Sequence, residues 1–292
     1  MLRSAPMTAP PTQAHVITVL NLKGGVGKTH TAWLLASGAE ERGQRLLAID
    51  TDPQGNLSNS FVRTGEKVPG VERLLDPSAD PELHGLIRRT QYAGIDVIPA
   101  STAVARFDLS DQRAWEAADL HRSFMDPVNE LRGLYDMIVF DCPPRLSLVS
   151  FAALCASDFV VVPLEAADWG AQGIKQVSAA VDYVREHFNS KLQLLGYLVS
   201  RFKRSRSYQK SYLEQLRAHF GAQTFDTVIP DLAQFERSVT DAILISRHAP
   251  GSSAAHFARE FFDETLRRCA ELGAGGRGSG RAHVRGSSVA AV

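Results

Sequence analysis

The chain has 292 residues, 44% of them hydrophobic, with 32 lysines and arginines against 32 aspartates and glutamates. That length and apolar fraction suit one large α/β domain with a substantial core, and a net charge of zero excludes nucleic-acid binding through a global field, leaving only a local patch. The three cysteines, Cys142, Cys155 and Cys269, lack metal-ligand spacing and point to a reducing compartment; no apolar run suits a signal peptide or a membrane span, so a cytoplasmic protein is expected.

In chain order, residues 1–14 are rich in proline, threonine and alanine and read as a flexible tail. Short β-rich runs follow: VITVLN (16–21), RLLAID (45–50), IDVIPA (95–100), DMIVFD (136–141), FVVVPL (159–164), LQLLGYLVS (192–200) and TFDTVIP (224–230). Their apolar character is continuous rather than alternating, as expected of parallel strands buried on both faces. Amphipathic stretches at 29–42, 115–132, 170–188 and 207–220 supply helices between them. The pattern predicts a doubly wound, mostly parallel α/β sheet with helices on both faces. The stripe Phe257, Phe261, Phe262, Leu266 and Cys269 has the spacing of a closing core helix, and Trp33 reads as core packing. The domain is expected to span 15–272, and 273–292, rich in glycine, serine and arginine, to form a second flexible tail.

Strand 16–21 runs into KGGVGKTH, residues 23–30, and then into a helix. In that strand–turn–helix context Gly24, Gly25, Val26 and Gly27 form a phosphate-binding turn whose N–H groups converge on oxygens. Lys28 is placed to meet the β- and γ-phosphates of ATP, and the Thr29 hydroxyl to meet Mg²⁺. Asp50 and Asp52 follow the second strand at its carboxyl end, where ligands bind in open α/β sheets, although DTDPQGN is also good turn chemistry in its own right. Asp141 ends an apolar strand ahead of Pro143 and Pro144; a cation such as Mg²⁺ would offset the cost of burying it. Capping of the helix expected over 146–156 is the alternative role for Asp141.

KGGVGKT, LLAIDTDPQGN (46–56) and DMIVFDCPPRLSL (136–148), in that order, resemble the deviant Walker-A ATPases of the ParA/MinD group, most closely the ParA partition proteins, over about residues 15 to 270. The resemblance implies a P-loop ATPase that closes an ATP-sandwiched homodimer. Lys23 would be the signature lysine that reaches the partner's phosphates, Asp52 would orient the attacking water near Mg²⁺, and Asp50 would support the loop. Asp141 would hold Mg²⁺ through water. Base contacts map onto Ser200, Pro230 and Asp231, and Glu165 onto the partner's ribose, with a plain surface acid as its alternative. His30 stands where a threonine is common.

SRFKRSRSYQK (200–210) concentrates Arg201, Lys203, Arg204, Arg206 and Lys210. The resemblance implies sequence-independent binding of duplex DNA near Arg204 and Arg206, through phosphate contacts that weaken with salt. A solvated basic face is the alternative. Arg217, Arg237 and Arg247 are further candidates. The function implied is an ATP-dependent switch on the nucleoid that partitions a plasmid or chromosome, its slow hydrolysis stimulated by a ParB-like partner. Rival expectations are the same engine moving a carboxysome or chemotaxis cluster, a MinD-like membrane regulator, and a metabolic or metal-carrier enzyme with the same loop.

Overall fold

In the computed structural model, the described residues are 13–62, 69–79, 82–109, 116, 119–166 and 171–275. The expected strands appear as β1 (His15–Val19), β2 (Leu46–Asp50), β4 (Ile95–Ile98), β5 (Met137–Asp141), β6 (Phe159–Glu165) and β7 (Gln193–Ser200), with a two-residue edge strand β3 (Arg88–Arg89) that no apolar run announced. They form one seven-stranded sheet in the order β3-β4-β2-β5-β1-β6-β7 among the described residues. All pairings are parallel except that of β3 with β4.

The side-chain period of two divides each strand between two cores. Val16, Leu47, Ile138, Phe140, Val160 and Val162 face one side, against α3 (Met125–Leu131), α4 (Leu148–Ala156) and α5 (Ala171–His187). Ile17, Val19, Leu46, Ala48, Val139 and Val161 face the other, against α1 (Lys28–Glu41), α2 (Asn56–Phe61) and α8 (Ser253–Gly275). This is the doubly wound fold, and it explains the continuous apolar runs. α6 (Ser207–Phe220) and α7 (Ala233–Thr240) complete the larger helices. Trp33, Phe261, Phe262 and Cys269 lie in the second core as expected.

Residues 224–230 do not form a seventh parallel strand. They run beside β7 through isolated bridges, Tyr197 with Thr224 and Phe202 with Pro230. The N–H groups of Asp226 and Thr227 donate instead to the Glu264 carboxylate, each at 2.8 Å, so a regular ladder cannot continue there. Of the helix expected over 115–132, only Met125–Leu131 is the α-helix α3; Leu120–Arg122 form a short 3-10 turn instead, and residues 110–115 and 117–118 lie outside the described residues. α8 runs three residues past the boundary expected at 272, and the rest of both tails, 1–12 and 276–292, also lies outside. Among the described residues no helix is long and apolar enough to cross a membrane.

Candidate active site

Strand order assembles the site. β1 lies between β5 and β6, and β2 flanks β5, so the segments leaving β1, β2 and β5 share one edge of the sheet, with Asp50 and Asp141 in register side by side. The turn after β1 is possible because Gly25 and Gly27 adopt φ of 77° and 93°, a region closed to most side chains. Gly27 caps α1, its carbonyl accepting from the N–H of Thr31 at 2.8 Å. The free N–H groups of this first turn, with the helix dipole, make an anion site.

The turn is braced from below. Asn21 Nδ2 donates to the Pro163 carbonyl at 2.8 Å, while its Oδ1 accepts from the N–H of Lys23 at 2.9 Å. Ser200 Oγ donates to the Val26 carbonyl at 2.7 Å. Ser200 is therefore a support beneath the loop, 1% exposed, and does not line the cleft where a base contact was expected. The Val26 side chain is buried too, so only its main chain is available to a ligand. Lys28 Nζ donates to the Lys23 carbonyl at 2.9 Å, which holds the ammonium over the turn. Burial pushes the Lys28 pKa down, against the pull of the Asp141 carboxylate.

The three aspartates differ in their surroundings. Asp50 is buried but satisfied, its Oδ2 accepting from both the N–H and the hydroxyl of Ser58 at 2.8 and 2.7 Å. Burial nonetheless raises it to about 6, and these hydrogen bonds offset only part of the effect. Asp52 is half-buried, and its Oδ1 accepts from the N–H of Gln54 at 2.9 Å. Asp141 is 1% exposed, with both carboxylate oxygens lacking a hydrogen-bond partner among the described residues. Its pKa is pushed well above the usual range, first by burial and then by Asp50, while the Thr29 hydroxyl and Lys28 oppose the shift without closing a hydrogen bond on it.

Two orphaned oxygens beside a serviceable hydroxyl are a hard-oxygen donor set suited to Mg²⁺. No cluster of three His, Cys, Asp or Glu ligands exists among the described residues, as expected of an ion held mainly by substrate phosphates and water with one or two protein oxygens. Thr29 and Asp141 would hold the metal, with Asp52 nearby. Bound there, Mg²⁺ would neutralise phosphate charge.

A cleft of about 640 Å³ opens over the loop. It is lined by Gly24, Gly25, Gly27, Lys28, Thr29 and His30 of the loop and α1, by Asp52, Gln54, Asn56, Pro144 and Arg145 from the segments after β2 and β5, and by Arg201, Pro230, Asp231, Leu232 and Phe235, with α7 adding Glu236, Val239 and Thr240. A second cavity of about 600 Å³ lies between α5 and α6, and it contains none of the expected site residues. The chemistry belongs to the first. His30 packs edge-on against Phe235 with ring centroids 4.8 Å apart. Burial and then Arg201 lower its pKa to about 4, so the imidazole is neutral near pH 7. Its Nε2 is buried with no hydrogen-bond partner among the described residues.

The basic run is divided. Arg201 turns into the nucleotide cleft, with φ of 52° and a guanidinium 3.4 Å from the Gly25 carbonyl, and so leaves the expected DNA surface. Its place in the cleft, close enough to His30 to lower its pKa, was not legible from charge density alone. Lys203 pairs with Asp231 at 2.9 Å across the cleft rim, which occupies both a candidate DNA contact and a candidate base contact. Arg217 donates to the Asp226 carbonyl, and Arg247 pairs with Glu40. Arg204, Arg206 and Lys210 remain exposed around the start of α6, as does Arg237 on α7. Glu165 ends β6 in register with Ser200, outside the cleft. The residues missed by sequence reasoning are Arg145, Arg201 as a wall of the cleft, and Phe235; Gln54 and Asn56 stood in the quoted DTDPQGN without a role.

A model of the AAA domain matches residues 14–194. The chain is 34% identical over 255 residues to the chromosome-partitioning ATPase Soj of Thermus thermophilus, covering 87% of this chain and 96% of that protein. It is 33% identical over 230 residues to the chromosome partitioning protein ParA of Caulobacter vibrioides, covering 77% and 82% respectively. The fold is similar to that of cobyrinic acid a,c-diamide synthase from Mycobacterium smegmatis with bound ADP and magnesium, with a TM-score of 0.74, 27% identity and coverage of 89% of this chain and 96% of that one. With its loop, its paired strand-end aspartates and these relatives, the chain belongs to the ParA/MinD-type P-loop ATPases and is an ATPase that uses ATP and Mg²⁺.

Proposed function

We propose that this ATPase is a dimerising switch that binds duplex DNA without sequence preference in its ATP state and so positions a plasmid or chromosome, with a ParB-like partner stimulating hydrolysis. The observation that carries the reading is a continuous path from nucleotide to surface cation. Asp231 in the cleft wall is ion-paired with Lys203, and the next residues present Arg204, Arg206 and Lys210 to solvent around the start of α6. A nucleotide that reorders the wall would thereby reorient the exposed cations. The relatives named as chromosome-partitioning proteins support the same reading.

Lys28 and the loop N–H groups hold the phosphates, Asp52 orients water, and Lys23 on the incoming side of the loop would serve a facing subunit's phosphates, so that ATP joins two copies and hydrolysis releases them. DNA affinity then comes from phosphate contacts by exposed cations, whose strength falls steeply with salt.

The test is binding to a non-specific duplex with ATP, ADP or no nucleotide across a salt series, for wild type and Arg204→Ala/Arg206→Ala. The reading expects ATP-dependent binding. In the double variant, four fewer cations per dimer would flatten the slope of log affinity against log salt by about 3–4, since each phosphate contact contributes about 0.9. An ATP-bound dimer that ignores DNA would retain the engine and remove the track.

A further inference from the structure

We infer that Arg145 is an additional cation of the active site, parked on Asp108 in the nucleotide-free chain and transferred to the terminal phosphoryl group when a nucleoside triphosphate binds. Arg145 lines the cleft that also holds Lys28, Thr29 and Asp52. It comes four residues after Asp141, the last residue of β5, and directly follows Pro143 and Pro144, whose fixed φ angles stiffen that exit. Its main chain is pinned further by the Ser150 hydroxyl of α4, which donates to the Arg145 carbonyl at 2.8 Å. The backbone is held while the side chain is free to turn.

The side chain is 57% exposed and ion-paired at 2.7 Å with Oδ2 of Asp108, whose own side chain is 15% exposed, so the guanidinium is open to solvent and can reach a second anion. The other Asp108 oxygen is buried without a hydrogen-bond partner among the described residues, so this carboxylate is an imperfect resting place. A magnesium-bound triphosphate still carries net negative charge, and Arg145 lines the same cleft as Lys28 and Thr29, the residues assigned to its phosphates and metal. A planar guanidinium can meet two such oxygens at once, as an ammonium cannot. Arg201 does not compete for this role, because its guanidinium is engaged by the Gly25 carbonyl.

In hydrolysis the oxygen of water bonds to the γ-phosphorus. The bond from that phosphorus to the bridging oxygen breaks with its electron pair passing to ADP, and the water proton leaves to a phosphate oxygen. Arg145 makes and breaks no covalent bond. It donates N–H groups to the γ-oxygens, most strongly in the transition state, and this role rests on the ATPase activity of the family rather than on DNA binding.

The experiment compares full-length wild type, Arg145→Ala, Arg145→Lys and Asp108→Asn for ADP affinity, Mg²⁺-dependent kcat, and trapping of ADP with aluminium fluoride, which mimics the transferring phosphoryl group. Arg145→Ala is expected to lose about a hundredfold in kcat and to lose trapping, with ADP affinity within about twofold of wild type. Arg145→Lys should recover part of both. Asp108→Asn, which removes the resting partner but leaves Arg145, should keep or raise kcat. Wild-type kcat and trapping in Arg145→Ala would overturn the inference. So would an equal loss in Asp108→Asn, because the ion pair would then matter only as structure, and so would an ADP affinity that falls in step with kcat.

Discussion

Asp141 carries a burial cost that Thr29 and Lys28 offset only in part. A buried carboxylate with two unsatisfied oxygens destabilises the empty protein. Asp141→Asn is therefore expected to stabilise the nucleotide-free chain by about 1–3 kcal/mol while abolishing Mg²⁺-dependent hydrolysis. Because its folded-state pKa is raised, native protein binds more protons than unfolded chain above the ordinary carboxylate range. The penalty thus grows as pH rises through that range, and the gain in the variant should be largest near neutrality and vanish in acid. Thermal melts of both proteins at pH 4 and 7, with and without Mg²⁺-ATP, check this. A variant that melts lower when empty would show that the carboxylate is compensated in some other way.

Among elements, the packing of α1 on α8 depends on a missing side chain. A Cβ at Gly38 would lie 2.3 Å from the Phe262 ring. Alanine in mid-helix ordinarily gains up to about 1 kcal/mol over glycine, but here overpacking of about 1–3 kcal/mol or more opposes it, so Gly38→Ala is expected to lower the urea midpoint. An unchanged or raised midpoint would mean that the two helices can move apart freely. α8 also ties down the irregular segment beside β7. Glu264, 6% exposed, accepts from the N–H groups of Asp226 and Thr227 and from Arg268 Nε at 2.8 Å, and Arg268 Nη2 donates to the Thr224 carbonyl at 2.7 Å. Burial alone would raise the Glu264 pKa, yet these donors override it and hold the carboxyl low. A depressed acid stabilises the fold above its unfolded pKa and loses that contribution as pH falls. Glu264→Gln should therefore cost about 3 kcal/mol near pH 7 and progressively less below the ordinary glutamate range. A deficit independent of pH would assign the loss to shape and not to charge.

For the whole molecule, the decisive fact is that β1, β2 and β5 end side by side, so that residues as far apart as Lys28, Asp52 and Asp141 face one cleft or its floor. The same edge carries Lys23 on the exposed side of the loop. Lys23→Ala is expected to bind ATP with little change, but to lose hydrolysis and the ATP-dependent dimer seen by light scattering, since its proposed target is the facing subunit's phosphates. Loss of ATP binding in the monomer would assign Lys23 to its own nucleotide and remove the sandwich from the mechanism.

Local signals were enough for much of this protein. Buried parallel strands need apolar residues on both faces, so six strands and the layered fold could be read from runs such as MIVF. A phosphate turn needs Gly25 and Gly27 at positive φ, so the loop, Lys28, Thr29 and the strand-end aspartates were legible at their own positions. What could not be read are arrangements made by segments distant in the chain. The irregular path of 224–230 depends on a carboxylate in α8, and the place of Ser200 beneath the loop depends on how closely β7 approaches Val26. Arg201, Lys203 and Arg204 look alike as a run of charge, yet one contacts the phosphate loop and lines the cleft, one pairs with Asp231 and one faces solvent. A side chain's chemistry is written in its residue type, but its partner is chosen by the packing of elements that the local sequence does not contain.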